Sequence, residues 1–217
     1  MKIKWNGHAS FTITAADGTV LVTDPYNRDA YEGALLYAPV DDRADGVLVS
    51  HDHPDHNHVA ALGGAPVVLK GSGTVKNIAV TGVATYHDTA AGAERGANTI
   101  FVFTVDGVRI CFAGDLGHQL SAEQLQAIGT VDLLLLPVGG TYTVDAASAV
   151  LVAEAVAPKV VIPMHFKTEK CRFPITGVDD FLGRMRRVKR LEKSEVEVTA
   201  ADLPTGGIEV WVLHHAR

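Results

Sequence analysis

Residues 47–58 read VLVSHDHPDHNH, and four histidines and two aspartates fall within the eight positions 51–58. Imidazole and carboxylate together are the ligand set of zinc, iron and manganese, and catalytic sites built from them keep a position open for water. His51 and His53 are one residue apart, and in an extended loop that spacing turns both rings to one side, where they can share an ion. Asp55 and His56 follow Pro54, a residue suited to the first turn of a helix. The chain changes direction there, so these two can face a second ion, while Asp52 points away as a loop or supporting residue. Two plainer readings compete. A solvated polar loop seldom gathers imidazoles this densely. A structural zinc site normally closes with four cysteine or histidine ligands, and the only cysteines, Cys111 and Cys171, form no motif that would close one.

The remaining candidate ligands each end a strand-like run. His87 closes NIAVTGVATYH, Asp115 closes RICFAGD and His165 follows KVVIPM, as His51 follows GVLVS. Residues gathered at strand ends are how a layered α/β fold builds one cleft from distant sequence. Two stretches, ASFTITAADGTVLVTDP and TIFVFTVDGVRICFAGD, read as hairpins turning at Asp17-Gly18 and Asp106-Gly107, each ending in an aspartate, Asp24 or Asp115. The apolar runs at 46–50, 66–70, 77–86, 131–137 and 159–164 read as strands buried on both faces. The segment 207–213 reads as a last strand. Helical patterns cover roughly 55–62, SAEQLQAIG with Ser121 as cap, DAASAVLVAEAVAP, and GVDDFLGRMRRVKRLEK at 177–193. No Pro/Ser-rich linker interrupts residues 1–217, so one domain of mixed strands and helices in layers is expected.

Five histidines and two aspartates supply three nitrogens for one ion and a mixed set for another, with a carboxylate between them. That is a dinuclear site. SHDHPDH followed by YHD, AGD and PMH resembles the metallo-β-lactamase fold superfamily, whose pattern is HxHxDH and then a separate His, Asp and His. KIKWNGHASFTI…VLVTDPY resembles the superfamily's opening hairpin with its aspartate. NTIFVF…GVRICFAGDLG and PVGGTYTVDAASA…PKVVIPMHF are similar to a small-hydrolase subgroup, whose relatives include ascorbate-6-phosphate lactonase and N-acyl-phosphatidylethanolamine phospholipase D. The resemblance implies a four-layer αβ/βα sandwich of two mixed sheets flanked by helices. It implies His51, His53 and His87 on one metal, Asp55, His56 and His165 on the other, and Asp115 bridging. Asp24 matches the superfamily's early aspartate, which buttresses the histidine loop.

The expected cofactors are two divalent ions, zinc first, with manganese or iron as alternatives. They lower the pKa of a shared water and polarise the bond to be split, which serves lactones, amides, thioesters and phosphodiesters alike. Asp55 is the candidate catalytic residue, orienting the nucleophile and carrying its proton. The expected activity is hydrolysis of a small anionic ester, a lactone or a phosphoester. A di-iron redox centre of the same fold and a non-enzymatic metal-binding module are the alternatives; the first needs an electron donor, for which 217 residues leave no room. A net charge of −6 disfavours nucleic acid as a partner, and a small molecule is the expected one, with homo-oligomerisation open. The longest apolar run, VDLLLLPV, is too short to cross a bilayer, and the N-terminal stretch reads as no signal peptide, so the cytoplasm is the expected compartment. Lesser features stay open. The loop 139–143 is either an anion cradle at a helix start or a plain turn. Lys167 meets a substrate anion or solvent. His8 and His118 approach the cleft or cap loops. His58, His214 and His215 read as surface residues, and 184–190 as a solvated basic helix face.

Overall fold

The computed structural model describes residues 1–217. The chain forms strands β1 (Lys2–Gly7), β2 (Ser10–Thr14), β3 (Val20–Thr23), β4 (Gly46–Leu48), β5 (Val67–Leu69), β6 (Gly73–Val75), β7 (Ile78–Tyr86), β8 (Ala97–Val105), β9 (Val108–Phe112), β10 (Leu133–Pro137), β11 (Val160–Met164), β12 (Val188–Arg190), β13 (Glu195–Glu197) and β14 (Glu209–Val212). Helices α1 (Ala122–Ile128), α2 (Ala146–Val156) and α3 (Asp179–Arg184) interrupt them. The strands make two mixed sheets, of order β13-β1-β2-β3-β4-β5 and β12-β14-β11-β10-β9-β8-β7-β6. In each, antiparallel hairpins give way to parallel strands, and the parallel strands β4, β10 and β11 are buried throughout.

Alternation sends Leu21 and Leu48 of the six-stranded sheet inward to Trp5, Phe11, Phe101 and Phe112, in a core shared with the other sheet. Val22 and Val47 point the other way. They are covered by Tyr26, Leu35, Tyr37 and Val40 from the irregular segment 24–45, and by Cys171 and Ile175. Helices α1 and α2 pack on β7 and β10, and α3 on α2. The layered α/β sandwich thus stands, with one outer layer helical and the opposite one built largely from loop and a short 3₁₀ turn, Val59–Ala61.

Four local expectations are corrected. The run 177–193 is not one helix: α3 stops where Met185 turns extended, and Val188, Lys189 and Arg190 pair with Val210, Trp211 and Val212. An open edge of β14 outcompetes the helix there, and Arg184, Arg187, Lys189 and Arg190 pair with Asp179, Asp180 and Glu209 rather than forming a helix face. The helix at 55–62 is only a turn, closed by the His56 N–H donating to the His53 carbonyl (2.9 Å), followed by the 3₁₀ turn. Of the runs expected to be buried on both faces, β5 exposes Val67 and Val68 at a sheet edge and β7 alternates buried with exposed. The two hairpins differ: Asp106 and Gly107 both have positive φ (48° and 78°), as a two-residue type I′ turn requires. In the first only Gly18 does (84°), and the Ala15 N–H donates to the Thr19 carbonyl around a wider loop.

Leu135, fully buried mid-strand in β10, tests the shared core. Leu135→Ala is expected to cost about 2–5 kcal/mol, read as a lower urea midpoint with unchanged slope.

Candidate metal centre

Every expected ligand lies where a strand ends at one rim of the sandwich. From the six-stranded sheet come His51, His53, Asp55 and His56, on the loop after β4. From the eight-stranded sheet come His87 after β7, Asp115 after β9 and His165 after β11. Ligand-capable atoms of His51, His53 and His87 lie within 4.8 Å of one another, as do those of His8, Asp55, His56 and His165. Asp115 sits between the groups: its Oδ2 is 3.2 Å from His56 Nε2, 3.3 Å from His87 Nε2 and 3.2 Å from His165 Nε2. The structure therefore brings together all seven residues singled out from sequence.

The backbone turns sharply to do this. His8, Asp24 and His165, each just past a strand, have φ of 52°, 35° and 50°, in the left-handed region that side chains avoid. Such conformations cost on the order of 1–3 kcal/mol each and gather at functional sites. Before Asp115, Gly114 has φ 54°, and a Cβ there would lie 2.5 Å from both Asn98 Oδ1 and Ser50 Cβ. Only glycine lets the two sheets approach at that point. Asn98 then fixes Asp115, its Oδ1 accepting the Asp115 N–H (2.9 Å) while its Nδ2 donates to the Ala113 carbonyl (3.0 Å).

Asp24 orients the histidine loop. Its carboxylate, fully buried, accepts from the Ser50 N–H (2.8 Å), the Ser50 hydroxyl (2.5 Å) and His56 Nδ1 (2.8 Å). Ser50 Oγ also reaches His51 Nδ1 (2.9 Å). With the Nδ1 atoms engaged, the Nε2 atoms of His51 and His56 are buried with no hydrogen-bond partner, as are Nδ1 of His8, His87 and His165 and Oδ1 of Asp115. So many orphaned polar atoms in one place would be costly in a site built for nothing. Lone-pair nitrogens beside carboxylate oxygens are the donor set divalent zinc, manganese or iron accepts, and the residues fit such ions.

The electrostatics agree with that donor set. Burial, aided by the neighbouring His56, pushes His51 down to about 2, and burial, aided by His165, pushes His8 down to about 4. His87 is lowered chiefly by burial. Burial works to raise Asp55 and Asp115, but the facing histidines outweigh it and hold both carboxyls well below the usual range. Burial alone would lower His56; Asp115 and Asp55 outweigh it and raise it strongly, so a bound cation would displace a proton there.

His8, which the sequence left open, is a buried member of the cluster: its Nε2 lies 3.1 Å from Asp55 Oδ2 and its ring centroid 4.1 Å from that of His165. The other open residues fall elsewhere. His118 Nε2 accepts the Tyr86 N–H, Lys167 donates to the Phe173 carbonyl, and exposed Asp52 pairs with Lys70. In the loop 139–143, a Cβ on Gly139 would strike the His165 carbonyl, and the start of α2 is already capped by Asp145 accepting the Ser148 N–H. That loop is a close-packed turn. His58 and His214 lie at or near the surface. His215 does not: it is mostly covered, edge-on to Trp5 and Tyr37 and bonded to Glu169. Beside the cluster opens a cavity of about 240 Å³, lined also by Tyr31, Arg95, Tyr142 and Phe173. Tyr142 comes from the loop 139–143 that the sequence left open; the other three carry no sequence signal, and all four sit in irregular stretches between elements.

The family model for the beta-lactamase superfamily domain matches residues 2–165. A metal-dependent hydrolase of Archaeoglobus fulgidus is 30% identical, with 91% of this chain and 94% of that protein covered. Another, of Anaeromyxobacter dehalogenans, is 32% identical, with 94% and 86% covered. Among solved structures, a Thermotoga maritima protein assigned to the Zn-dependent hydrolases of the metallo-beta-lactamase superfamily is 35% identical, with a TM-score of 0.78 and 98% and 99% of the two chains covered. A diiron β-hydroxylase of Streptomyces venezuelae, 14% identical at a TM-score of 0.57 with 79% and 46% covered, shares the fold alone.

Asp24 touches the cluster only through Ser50 and His56. Asp24→Ala is expected to weaken metal affinity about 10–100-fold, measured by competition with a chelator of known affinity.

Proposed function

The chain belongs to the beta-lactamase superfamily and is a metal-dependent hydrolase of it, and we propose that it works through a two-ion centre on a small anionic ester, a lactone or a phosphoester. The observation that carries this reading is the position of Asp115, whose Oδ2 lies within 3.3 Å of nitrogens from both histidine groups. In this reading His51, His53 and His87 hold one ion, Asp55, His56 and His165 the other, and Asp115 spans the two. Zinc is the first assignment, since nitrogen donors dominate; manganese and iron are the alternatives.

Bound there, divalent ions supply a water of lowered pKa and a Lewis acid for the carbonyl or phosphoryl oxygen. The chain's own residues supply the rest. Asp55 lines the cavity, and in this reading its carboxylate orients the attacking water and passes its proton to the leaving group. His8 spends Nε2 on Asp55 Oδ2 and so fixes how that carboxylate is presented. The cavity, about 240 Å³, falls below the roughly 300–1,000 Å³ of drug-sized ligand sites, which selects a small molecule. Arg95 on its wall favours an anionic one.

The test is a hydrolysis screen over lactones, phosphodiesters, thioesters and lactams with metal-loaded protein, with His53→Ala as blank. Chelation is expected to abolish turnover, and zinc or manganese to restore it. Asp55→Ala is expected to lose metal and to lower turnover by about 10²–10⁴-fold. Should no ester turn over above the blank with any of these metals, the reading fails; iron with visible absorption would favour a redox centre instead.

A further inference from the structure

We propose that Arg95, set over Tyr142, binds an oxyanion on the part of the substrate that is not cleaved, and that the substrate is therefore an ester carrying a carboxylate or phosphate on a short apolar arm. The inference rests on the hydrolase reading for the scissile bond and goes beyond it for recognition.

Arg95 is held by construction. The loop from His87 to Gly96 folds around the buried carboxylate of Asp88, which accepts four backbone N–H groups: Ala90 (2.8 Å), Gly92 (2.8 Å), Glu94 (3.0 Å) and Arg95 itself (2.7 Å). Its base is closed by the His87 N–H donating to the Gly96 carbonyl (3.0 Å) and the Gly96 N–H donating to the Gly92 carbonyl (3.0 Å). A carboxylate saturated by backbone donors makes a stiff loop, so the Arg95 backbone is fixed relative to His87, a residue of the metal cluster. Such preorganisation lowers the entropy lost on binding.

The guanidinium is also free to act. Its carbon lies 5.8 Å from the Tyr142 ring centroid, and its one carboxylate partner is the exposed neighbour Glu94, 3.3 Å from Nη1. A guanidinium offers five N–H donors in a planar fork suited to carboxylate or phosphate, so most remain for a ligand. The cavity carboxylates Asp55 and Asp115 do not compete, being engaged with His8, His56, His87 and His165. Lys70, which shares a neighbouring groove with Arg95, is committed to Asp52 at 2.6 Å, and Lys167 donates to the Phe173 carbonyl at 2.7 Å. Arg95, the cation that lines the cavity, adjoins a continuous aromatic wall: Tyr142 meets Phe173 at 5.8 Å and Phe173 meets Tyr31 at 5.7 Å between centroids, both edge-on. A cation beside aromatic faces, in one cavity with the histidine and aspartate cluster, specifies three substrate parts: anion, apolar arm, scissile group.

The experiment measures binding, by calorimetry on the full-length zinc-loaded protein, of three probes of equal length: 3-phenylpropionate, 2-phenylethylphosphonate and neutral 3-phenylpropionamide. Wild-type protein is expected to prefer one or both acids over the amide by about 10- to 100-fold, the worth of a charge-assisted contact. The acid that binds tighter distinguishes carboxylate from phosphate as the natural anion. Arg95→Gln is expected to remove that preference while leaving amide binding unchanged, and Arg95→Lys to restore part of it. Unchanged acid affinity in Arg95→Gln would mean that the metal ions take the anion, and it overturns the proposal; so does equal affinity for all three probes, or no binding of either acid. Because no turnover is read, failure of the hydrolase reading and failure of this one are separate results.

Discussion

One carboxylate ties the molecule together. Asp115 comes from the eight-stranded sheet, and its Oδ2 meets His56 from the six-stranded sheet as closely as it meets His165 from its own. Neither sheet holds a complete cluster, so the centre exists only while the two rims stay in register. That register is secured where the sheets touch. The Thr99 N–H donates to the Ser50 carbonyl (2.9 Å), the His165 N–H donates to the His8 carbonyl (3.1 Å), and Gly114 leaves room for Ser50. Behind these contacts the aromatic core of Trp5, Phe11, Phe101 and Phe112 resists sliding, because close-packed interiors have few alternative arrangements.

The rim carries the opposite energetics. Left-handed turns at His8, Asp24 and His165, a fully buried Asp24 and a set of unpartnered ring nitrogens all oppose folding. They persist because the strands leading into them are buried and well paired, and because Asp24 and Asn98 satisfy the groups that face away from the cluster. Bound cations would engage the orphaned lone pairs, so metal and fold are linked: what binds the native state alone stabilises it. The cluster is thereby prepared for cations before any substrate arrives.

Recognition is built differently from chemistry. The clustered histidines and aspartates leave from strand ends, whereas Tyr31, Arg95, Tyr142 and Phe173 lie on connections between elements. Asp88 is the clearest case, one side chain replacing the ladder of a sheet for a whole loop. Such loops can change without disturbing the rim, which is how one metal scaffold serves many substrates.

By itself the sequence determined the candidate donors and most of the strands that bring them together. HxHxDH, and the histidines and aspartate closing runs of β-branched residues, are local patterns whose chemistry follows from residue type and strand period. It also showed the hairpin turn at Asp106-Gly107 and the Ser121 cap of α1, since each is decided within a few residues. Only the tertiary structure decided the rest. The segment 188–190 became a strand because β14 offered an edge, overriding a helical pattern. His8 joined the cluster because a positive φ after β1 turned it inward to meet Asp55, 47 positions away. Arg95 reached the cavity because Asp88 folded its loop. For 188–190 and His8 the deciding partner is distant in the chain, and for Arg95 it is a carboxylate bonded to backbone N–H groups; periodicity and spacing carry no record of either.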